Sequence, residues 1–361
     1  MSQKNLDRPS MSEVLCAPRL TKVKSKFLDE IDARVNWQPI STLLNKKLLK
    51  QETDVAGRPA FPPIMLFKAL LLGVWYGLSD EALEAHINDS ISASRFLGIG
   101  LEDLCPDHTT IWRFRQRLSE DKLHEKLLKI LNKQLQKHRI SVSQGVLIDA
   151  SIVPSPYLPK DTNTFVKADD RDPDREEEDI IKEDSYQKEV KQKQHRKDSE
   201  GRWLKKGSKS YYGYKKHVAT DKQGNILGLI TTPANVSDTK MLDPLLNHLG
   251  TLPKGTRIYA DKGYASSANR NSLKQREYRD GIMHKRKKGE EELPKLLKRK
   301  NRLITQSRYV IERTFGGIKR WFCGGLARYY GLERMHTQNL LEAMAYNLYR
   351  LPGLPVPEKA K

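Results

Sequence analysis

A charged trio near the end of the chain has a spacing that suits chemistry on a phosphate. On a helix at about 100° per residue, Arg308, Glu312 and Lys319 fall within roughly 40° of one another. An apolar stripe lies beside them: Ile311, Phe315, Ile318 and Phe322. A carboxylate between two cations fits a metal-dependent phosphoryl-transfer site if further carboxylates converge on it. A solvent-facing helix with an Arg308–Glu312 ion pair is the simpler interpretation of this segment alone.

Two adjacent glycines, Gly316 and Gly317, interrupt the same segment. Each costs a helix interior about 1 kcal/mol relative to Ala. The pair therefore indicates either a kink or helix end, or a place where another backbone or a phosphate approaches closely.

Two further carboxylates follow apolar strand patterns. Asp149 ends the run GVLIDAS, and Asp261 ends TRIYAD. From Gly145 onward the predicted order is strand, strand, strand, helix, strand, helix, strand, helix. A mixed sheet with its first and fourth strands side by side would bring Asp149 and Asp261 together, and Glu312 would approach from the helix packed over them. Any one of these acids alone is more simply a turn residue, so the prediction depends on their joint placement.

Oxygen ligands without a Cys or His cluster suit Mg²⁺, with Mn²⁺ as a substitute, rather than zinc. Two such ions about 3.5 to 4 Å apart would activate a water or a 3′-hydroxyl. The predicted reaction is in-line attack on a DNA phosphodiester, first by water and then by the freed 3′-hydroxyl. Arg308 and Lys319 are predicted to bind the flanking phosphates.

Composition favours a polyanionic partner. The 361 residues include 65 Lys and Arg against 45 Asp and Glu, a net charge of +20. Nucleic acid is the first candidate and an anionic membrane surface the second. The longest apolar run, 64–78, is broken by Lys68 and is shorter than the roughly 20 residues of a spanning helix. No secretory pattern begins the chain, and Cys16, Cys105 and Cys323 have no paired spacing, so we expect a reduced cytoplasmic protein, associated with the nucleoid if it is bacterial.

Short helices followed by an Arg- and Gln-rich helix at 109–118 resemble a helix-turn-helix, in which the last helix enters the major groove. Four side chains of this helix are predicted to remain for solvent or DNA: Arg113, Arg115, Gln116 and Arg117. An ordinary basic face on a helical bundle is the alternative.

Three units are predicted: a helical DNA-binding domain at 1–140, a catalytic domain at 141–323, and a C-terminal helix and tail at 324–361. The charged stretch at about 160–206 has too few apolar residues to bury a face, and it is predicted to be a flexible or solvated helical insertion.

The segments LIDAS, YADKGY and SRYVIERTFGGIKRW together resemble a DDE transposase of the bacterial insertion-sequence family 5, in the broader family 4/5 group. Asp149 matches the first motif, and Asp261 with Gly263 and Tyr264 matches the second. Arg308, Glu312 and Lys319 fit the third motif, although Thr305 stands where that motif has Tyr.

The resemblance implies an α/β fold, a ribonuclease-H-like mixed five-stranded sheet with flanking helices, preceded by an all-α helix-turn-helix-like domain. It also implies binding of double-stranded DNA at terminal inverted repeats and at a target, Mg²⁺-dependent strand cleavage and transfer, and action as a homodimer or larger synaptic complex. His217 and Asn235 would support the site, but a buried histidine and a helix cap are the simpler interpretations. Two other functions stay open: a ribonuclease-H-like nuclease or resolvase without joining, and a non-catalytic DNA-binding protein derived from a transposase.

Overall fold

The computed structural model describes residues 25–48, 60–136, 145–157, 198–286 and 292–353. The expectations for Cys16 and for most of the charged insertion at 160–206 lie outside the described residues.

The N-terminal half of the described chain is helical, and its caps follow from the sequence. Ser79 and Asp107 each accept a hydrogen bond from a backbone N–H three residues on, as expected of N-cap residues. Gly98 ends one helix at φ 75°, a conformation that favours glycine. The helices are α1 (Lys26–Arg34), α2 (Gln38–Leu48), α3 (Pro63–Trp75), α4 (Asp80–Asp89), α5 (Ile91–Leu97), α6 (His108–Glu120) and α7 (Leu123–Gln136).

Six strands follow in one mixed sheet. They are β1 (Val146–Pro154), β2 (Arg202–Lys206), β3 (Lys209–Asp221), β4 (Ile226–Pro233), β5 (Arg257–Ala260) and β6 (Arg279–Ile282). β1 pairs antiparallel with β3 and parallel with β5, which pairs parallel with β6. The predicted first and fourth strands, β1 and β5, therefore do lie side by side, and the α/β class is confirmed.

The sheet has one strand more than the five predicted. β2 pairs with the first part of β3, and β4 pairs with the remainder. The charged insertion was predicted to reach Lys206, but its last residues form β2. Most of its side chains are exposed, so it lacks the apolar alternation by which a strand is recognised in a sequence.

Four more helices cover the sheet: α8 (Leu242–Leu249), α9 (Ser267–Gln275), α10 (Lys295–Trp321) and α11 (Leu332–Tyr349). α10 runs without a break through Gly316 and Gly317, so of the two alternatives for these glycines, the kink or helix end is not formed. A Cβ on Gly317 would lie 3.0 Å from the ring of Tyr346 in α11, whereas one on Gly316 would meet nothing within 4 Å. Gly317 thus permits a close helix contact.

The last helix joins the two halves of the described chain. α11 contacts α3, α7 and β4, and Trp75 of α3 donates its indole N–H to the carbonyl of Ala345 at 3.0 Å. Buried residues of α3, α7, α10 and α11 belong to one continuous apolar core. Within the described ranges, no helix is long and apolar enough to cross a membrane. The division into three units remains a prediction.

Candidate active site

Asp149 and Asp261 occupy equivalent places on neighbouring parallel strands. Ile148 of β1 is paired with Ala260 of β5, and each aspartate is the next residue. Asp261 follows the end of β5 as expected, but Asp149 does not end β1, because that strand continues to Pro154 in its pairing with β3. Leu147 and Tyr259, two positions earlier, belong to the core that includes α10, whereas Ile148 and Ala260 belong to the core with α8. Because strand side chains alternate between faces, both carboxylates lie on the α10 side of the sheet.

Arg308 of α10 bridges the two carboxylates. Its Nη2 lies 2.6 Å from Oδ2 of Asp149, and its Nη1 lies 3.4 Å from Oδ1 of Asp261. The Arg308 side chain is only 9% exposed, and its buried Nε–H has no hydrogen-bond partner among the residues that the structure describes. In this conformation the guanidinium neutralises the two aspartates, and the role of Arg308 as a phosphate contact remains a prediction.

The two aspartates differ in environment. Asp149 is 17% exposed and Asp261 is 45% exposed. Burial raises the pKa of Asp149, and the neighbouring Arg308 opposes that rise. Asp261 instead begins a 3₁₀ turn at Lys262–Tyr264 and accepts the N–H of Lys262.

Glu312 does not join the pair in this structure. It lies one turn after Arg308 on α10, is exposed, and forms no ion pair or hydrogen bond with any residue the structure describes. Across the described segments, no three His, Cys, Asp or Glu side chains come close enough to hold a metal ion. The sequence-predicted triad is thus brought together in two of its three members, and the convergence of the third remains a prediction.

The chemistry of the pair nevertheless fits a hard divalent cation. Both donors are carboxylates, which suit Mg²⁺ or Mn²⁺, and the guanidinium of Arg308 shows that the space between them takes positive charge.

Lys319 lies two turns beyond Glu312 on the same helix. Burial lowers its pKa, and the positive charges of Lys216 and Lys206 lower it further. Lys216 is buried and paired with Glu342, whereas Lys319 and Lys206 are exposed. An anion beside Lys319 and Lys206 would be stabilised by both charges, and the phosphate contact at Lys319 remains a prediction.

His217 and Tyr264 are both buried beneath the paired acids. His217 is paired with Ala150, so it faces away from Asp149. Its ring nitrogens lie 3.3 Å from the hydroxyl of Tyr264 and 3.1 Å from that of Thr232. Burial lowers the pKa of His217 to about 4 and raises that of Tyr264. Both side chains are therefore neutral at pH 7 and support the turn that carries Asp261.

An ion pair beside this turn was missed by the sequence analysis. Lys215 donates to Asp238 at 2.9 Å and to the carbonyl of Val236 at 2.7 Å. A Cβ on Gly263 would lie 3.2 Å from Asp238, which explains a glycine there. Asn235 is exposed and caps no helix; Asp238 begins the following 3₁₀ turn.

In α6, the helix expected to bind DNA, two of the three arginines make contacts within the protein. Arg115 is buried, forms a two-pronged ion pair with Asp80 and lies over the ring of Tyr329. The expectation that Arg115 faces solvent is therefore wrong, because its partners come from outside its own helix. Three other side chains of α6 remain at least partly accessible. Arg117 donates to the carbonyl of Leu48, Gln116 lies 3.4 Å from Glu120, and Arg113 is exposed.

Three buried charged residues away from the paired aspartates were not predicted either: Lys216, Glu342 and Asp198. Lys216 pairs with Glu342 at 2.9 Å, both at most 3% exposed. Asp198 accepts hydrogen bonds from the hydroxyls of Ser155 and Tyr214. Adjacent lysines within a strand are a usable signal for the first pair, but no local pattern marks Asp198.

The fold and the paired acids define a class: a mixed α/β protein with an acidic site where the parallel pairing of two neighbouring strands ends. Two family models match the chain. The Transposase DDE domain matches residues 141–348, and the Transposase domain (DUF772) matches residues 18–117. The first covers more than half of the chain, which therefore belongs to the DDE transposase family.

A curated relative agrees. The transposase for insertion sequence element IS1106 of Neisseria meningitidis serogroup B is 34% identical over 240 residues, 66% of this chain and 76% of that protein. Two solved structures of Mos1 are more distant. The strand transfer complex has 12% identity and a TM-score of 0.21 over 84% of this chain and 82% of that one. The pre-cleavage transpososome has 10% identity and a TM-score of 0.22 over 92% and 98%. Scores this low carry no structural argument.

Proposed function

We propose that the chain is the enzyme of an insertion sequence, which binds the element's terminal inverted repeats and catalyses metal-dependent cleavage and transfer of DNA strands. Asp149, Asp261 and Glu312 are the proposed catalytic and metal-binding residues. Double-stranded DNA is the substrate, and a homodimer or larger synaptic complex is the proposed acting form.

One observation carries the proposal: two aspartates lie on one face, each directly after the last parallel pair of two adjacent strands, and one guanidinium joins them. Two carboxylates held this close repel each other unless a cation lies between them. A structural ion pair needs only one acid, so the second acid favours a cation site.

The bound divalent ions would supply a polarised phosphate and an activated attacking oxygen. The chain's own residues position the substrate. Asp149 and Asp261 would hold the cation from the sheet, and Glu312 would be the third ligand, from α10. Lys319, with Lys206 nearby, would offer positive charge to a phosphate beside the scissile bond. Arg308 is the second phosphate contact when it leaves the aspartates.

The test is strand transfer with a DNA duplex carrying the element's end and a plasmid target, in Mg²⁺ or Mn²⁺. Asp149→Asn, Asp261→Asn and Glu312→Gln keep the side-chain shape but remove the charge. Each variant should lower strand transfer at least ~100-fold, about 2.7 kcal/mol of transition-state stabilisation, because a neutral amide is a poor Mg²⁺ ligand. Binding of the end duplex should persist.

Glu102→Gln is the control, since Glu102 is an exposed acid in a loop. Full activity of any of the three site variants would reject that residue's role. Products that end in free 3′-hydroxyls and are never joined would indicate a nuclease or resolvase. DNA binding without any cleavage in either metal would indicate a non-catalytic protein.

A further inference from the structure

The outward side of α10 carries a row of exposed residues that are mostly basic or polar. At 100° per residue, ten residues fall within about 100° of arc, opposite the buried Ile311 and Phe315. Two of them lie at the edges of the arc: Lys298, which pairs with Glu292, and the buried Gly317. The other eight are all exposed: Lys295, Arg299, Arg302, Gln306, Tyr309, Arg313, Gly316 and Arg320. We call these eight residues the α10 stripe; it spans about 38 Å at 1.5 Å per residue.

The charge of the stripe has one sign. α10 contains nine Lys and Arg and a single acid, Glu312, which lies on the flank beside Arg308 rather than in the stripe. In the part of the chain that the structure describes, Lys295, Arg299, Arg302 and Arg320 form no ion pair. A purely solvated helix face is ordinarily supported by acids placed one turn from its cations, and the stripe lacks them.

Its remaining side chains suit the same partner. Tyr309 is 56% exposed and lies under the guanidinium of Arg313 at 5.6 Å. Gly316 leaves open space on the stripe, with no atom within 4 Å of its Cβ position. A large surface can therefore approach the helix backbone at that point.

We propose that the α10 stripe binds the phosphate backbone of duplex DNA without regard to sequence. The inference rests on the proposed function for its biological role. Regularly spaced Lys and Arg along a straight rod neutralise phosphates and release counterions, which gives affinity for any sequence. Arg308 lies about 130° round the helix from the centre of the stripe, so DNA bound there contacts the side of α10 that faces away from the paired aspartates.

The test compares two triple variants with equal loss of charge. In the first, Lys295, Arg299 and Arg302 are replaced by Gln. In the second, the control, three exposed cations of α7 are replaced by Gln: Lys126, Lys129 and Lys133. Gln is a good helix former, and circular dichroism with thermal unfolding verifies that both proteins fold.

Fluorescence anisotropy with a duplex of arbitrary sequence, over a range of salt concentrations and without divalent ions, gives the affinity and its salt slope. The stripe variant should bind at least ~10-fold more weakly at low salt. Its slope of log K against log salt should be shallower by about 2 to 3, since each phosphate contact contributes roughly 0.9. The α7 variant should change much less.

Equal losses in both variants would overturn the proposal, because net charge alone would then explain the binding. An unchanged slope of log K against log salt would also overturn the proposal. So would a stripe variant that no longer binds anionic lipid vesicles but binds the duplex as the wild type does. Because the anisotropy assay contains no divalent ions, a negative result in it does not count against the proposed catalysis. A negative result in the strand-transfer assay, in turn, does not count against DNA binding by the stripe.

Discussion

Arg308 is the residue on which the site's state depends. It neutralises two acids, yet its buried Nε–H has no acceptor, and such an unmet donor costs about 1 to 3 kcal/mol. A phosphate offers a guanidinium a planar, two-pronged partner. A phosphate is thus an alternative partner for the Arg308 guanidinium, and a divalent metal ion is an alternative partner for the two aspartates.

Removing Arg308 should favour metal binding. In Arg308→Ala the aspartates lose the guanidinium that competes with a metal ion. Without DNA, the affinity of this variant for Mn²⁺ should therefore be at least ~10-fold higher than that of the wild type, as measured by electron paramagnetic resonance or calorimetry. Strand transfer should fall, because the proposed phosphate contact is lost.

Arg302→Ala is the matched control for this prediction. Arg302 lies on the same helix but away from the aspartates, so its removal should leave the affinity for Mn²⁺ unchanged. Unaltered affinity in Arg308→Ala as well would contradict the assignment of Asp149 and Asp261 as metal ligands.

At the scale of elements, the sequence predicts a contact where one element determines its own environment. Asp149 and Asp261 could be placed together because each follows an apolar strand pattern and strand side chains alternate, although β1 continues past Asp149 to Pro154. Arg115 could not be placed, because Asp80 and Tyr329 come from other segments and a helical projection does not include them. The contacts of Arg308 with the aspartates could not be predicted for the same reason, since its partners come from β1 and the turn after β5.

The adjacent glycines of α10 make a matched pair. A methyl at Gly316 enters open space in a helix interior, so Gly316→Ala should raise the free energy of unfolding by about 0.5 to 1 kcal/mol. A methyl at Gly317 must displace the rings of Tyr346 and Trp321, at 3.0 and 3.1 Å, so Gly317→Ala should lower it by about 1 to 3 kcal/mol.

Urea unfolding of the two glycine variants and the wild type provides the comparison. If Gly317→Ala were as stable as Gly316→Ala, the close contact between α10 and α11 described here would be wrong. Gly316→Ala also fills space on the α10 stripe, so weaker DNA binding without lost stability is expected of it.

At the scale of the whole molecule, buried neutral histidines set the pH dependence of stability. Burial lowers the pKa of His124 in α7 to about 3 and that of His217 in β3 to about 4. Unfolding returns both to ordinary values near 6.5. The unfolded state therefore binds more protons in acid, and stability is lost as the pH falls below about 6.5.

Between pH 7 and pH 5, His217 alone should account for about 2 kcal/mol of lost stability. Urea unfolding of His217→Gln at the two pH values should show a loss smaller by that amount. His108→Gln is the contrast: the adjacent Glu84 raises the pKa of the exposed His108, so His108 stabilises the fold in acid and its removal should steepen the decline. Identical pH profiles for wild type and His217→Gln would contradict a buried neutral His217.

One further consequence follows from the unbroken course of α10. One continuous helix of 27 residues bears the α10 stripe on its outward side and Arg308 and Glu312 on its flank. If the helix tilts as a rigid body, the side chains of Arg308 and Glu312 move together. Contacts made at the α10 stripe and the position of Glu312 relative to the aspartates are thus linked through a single helix.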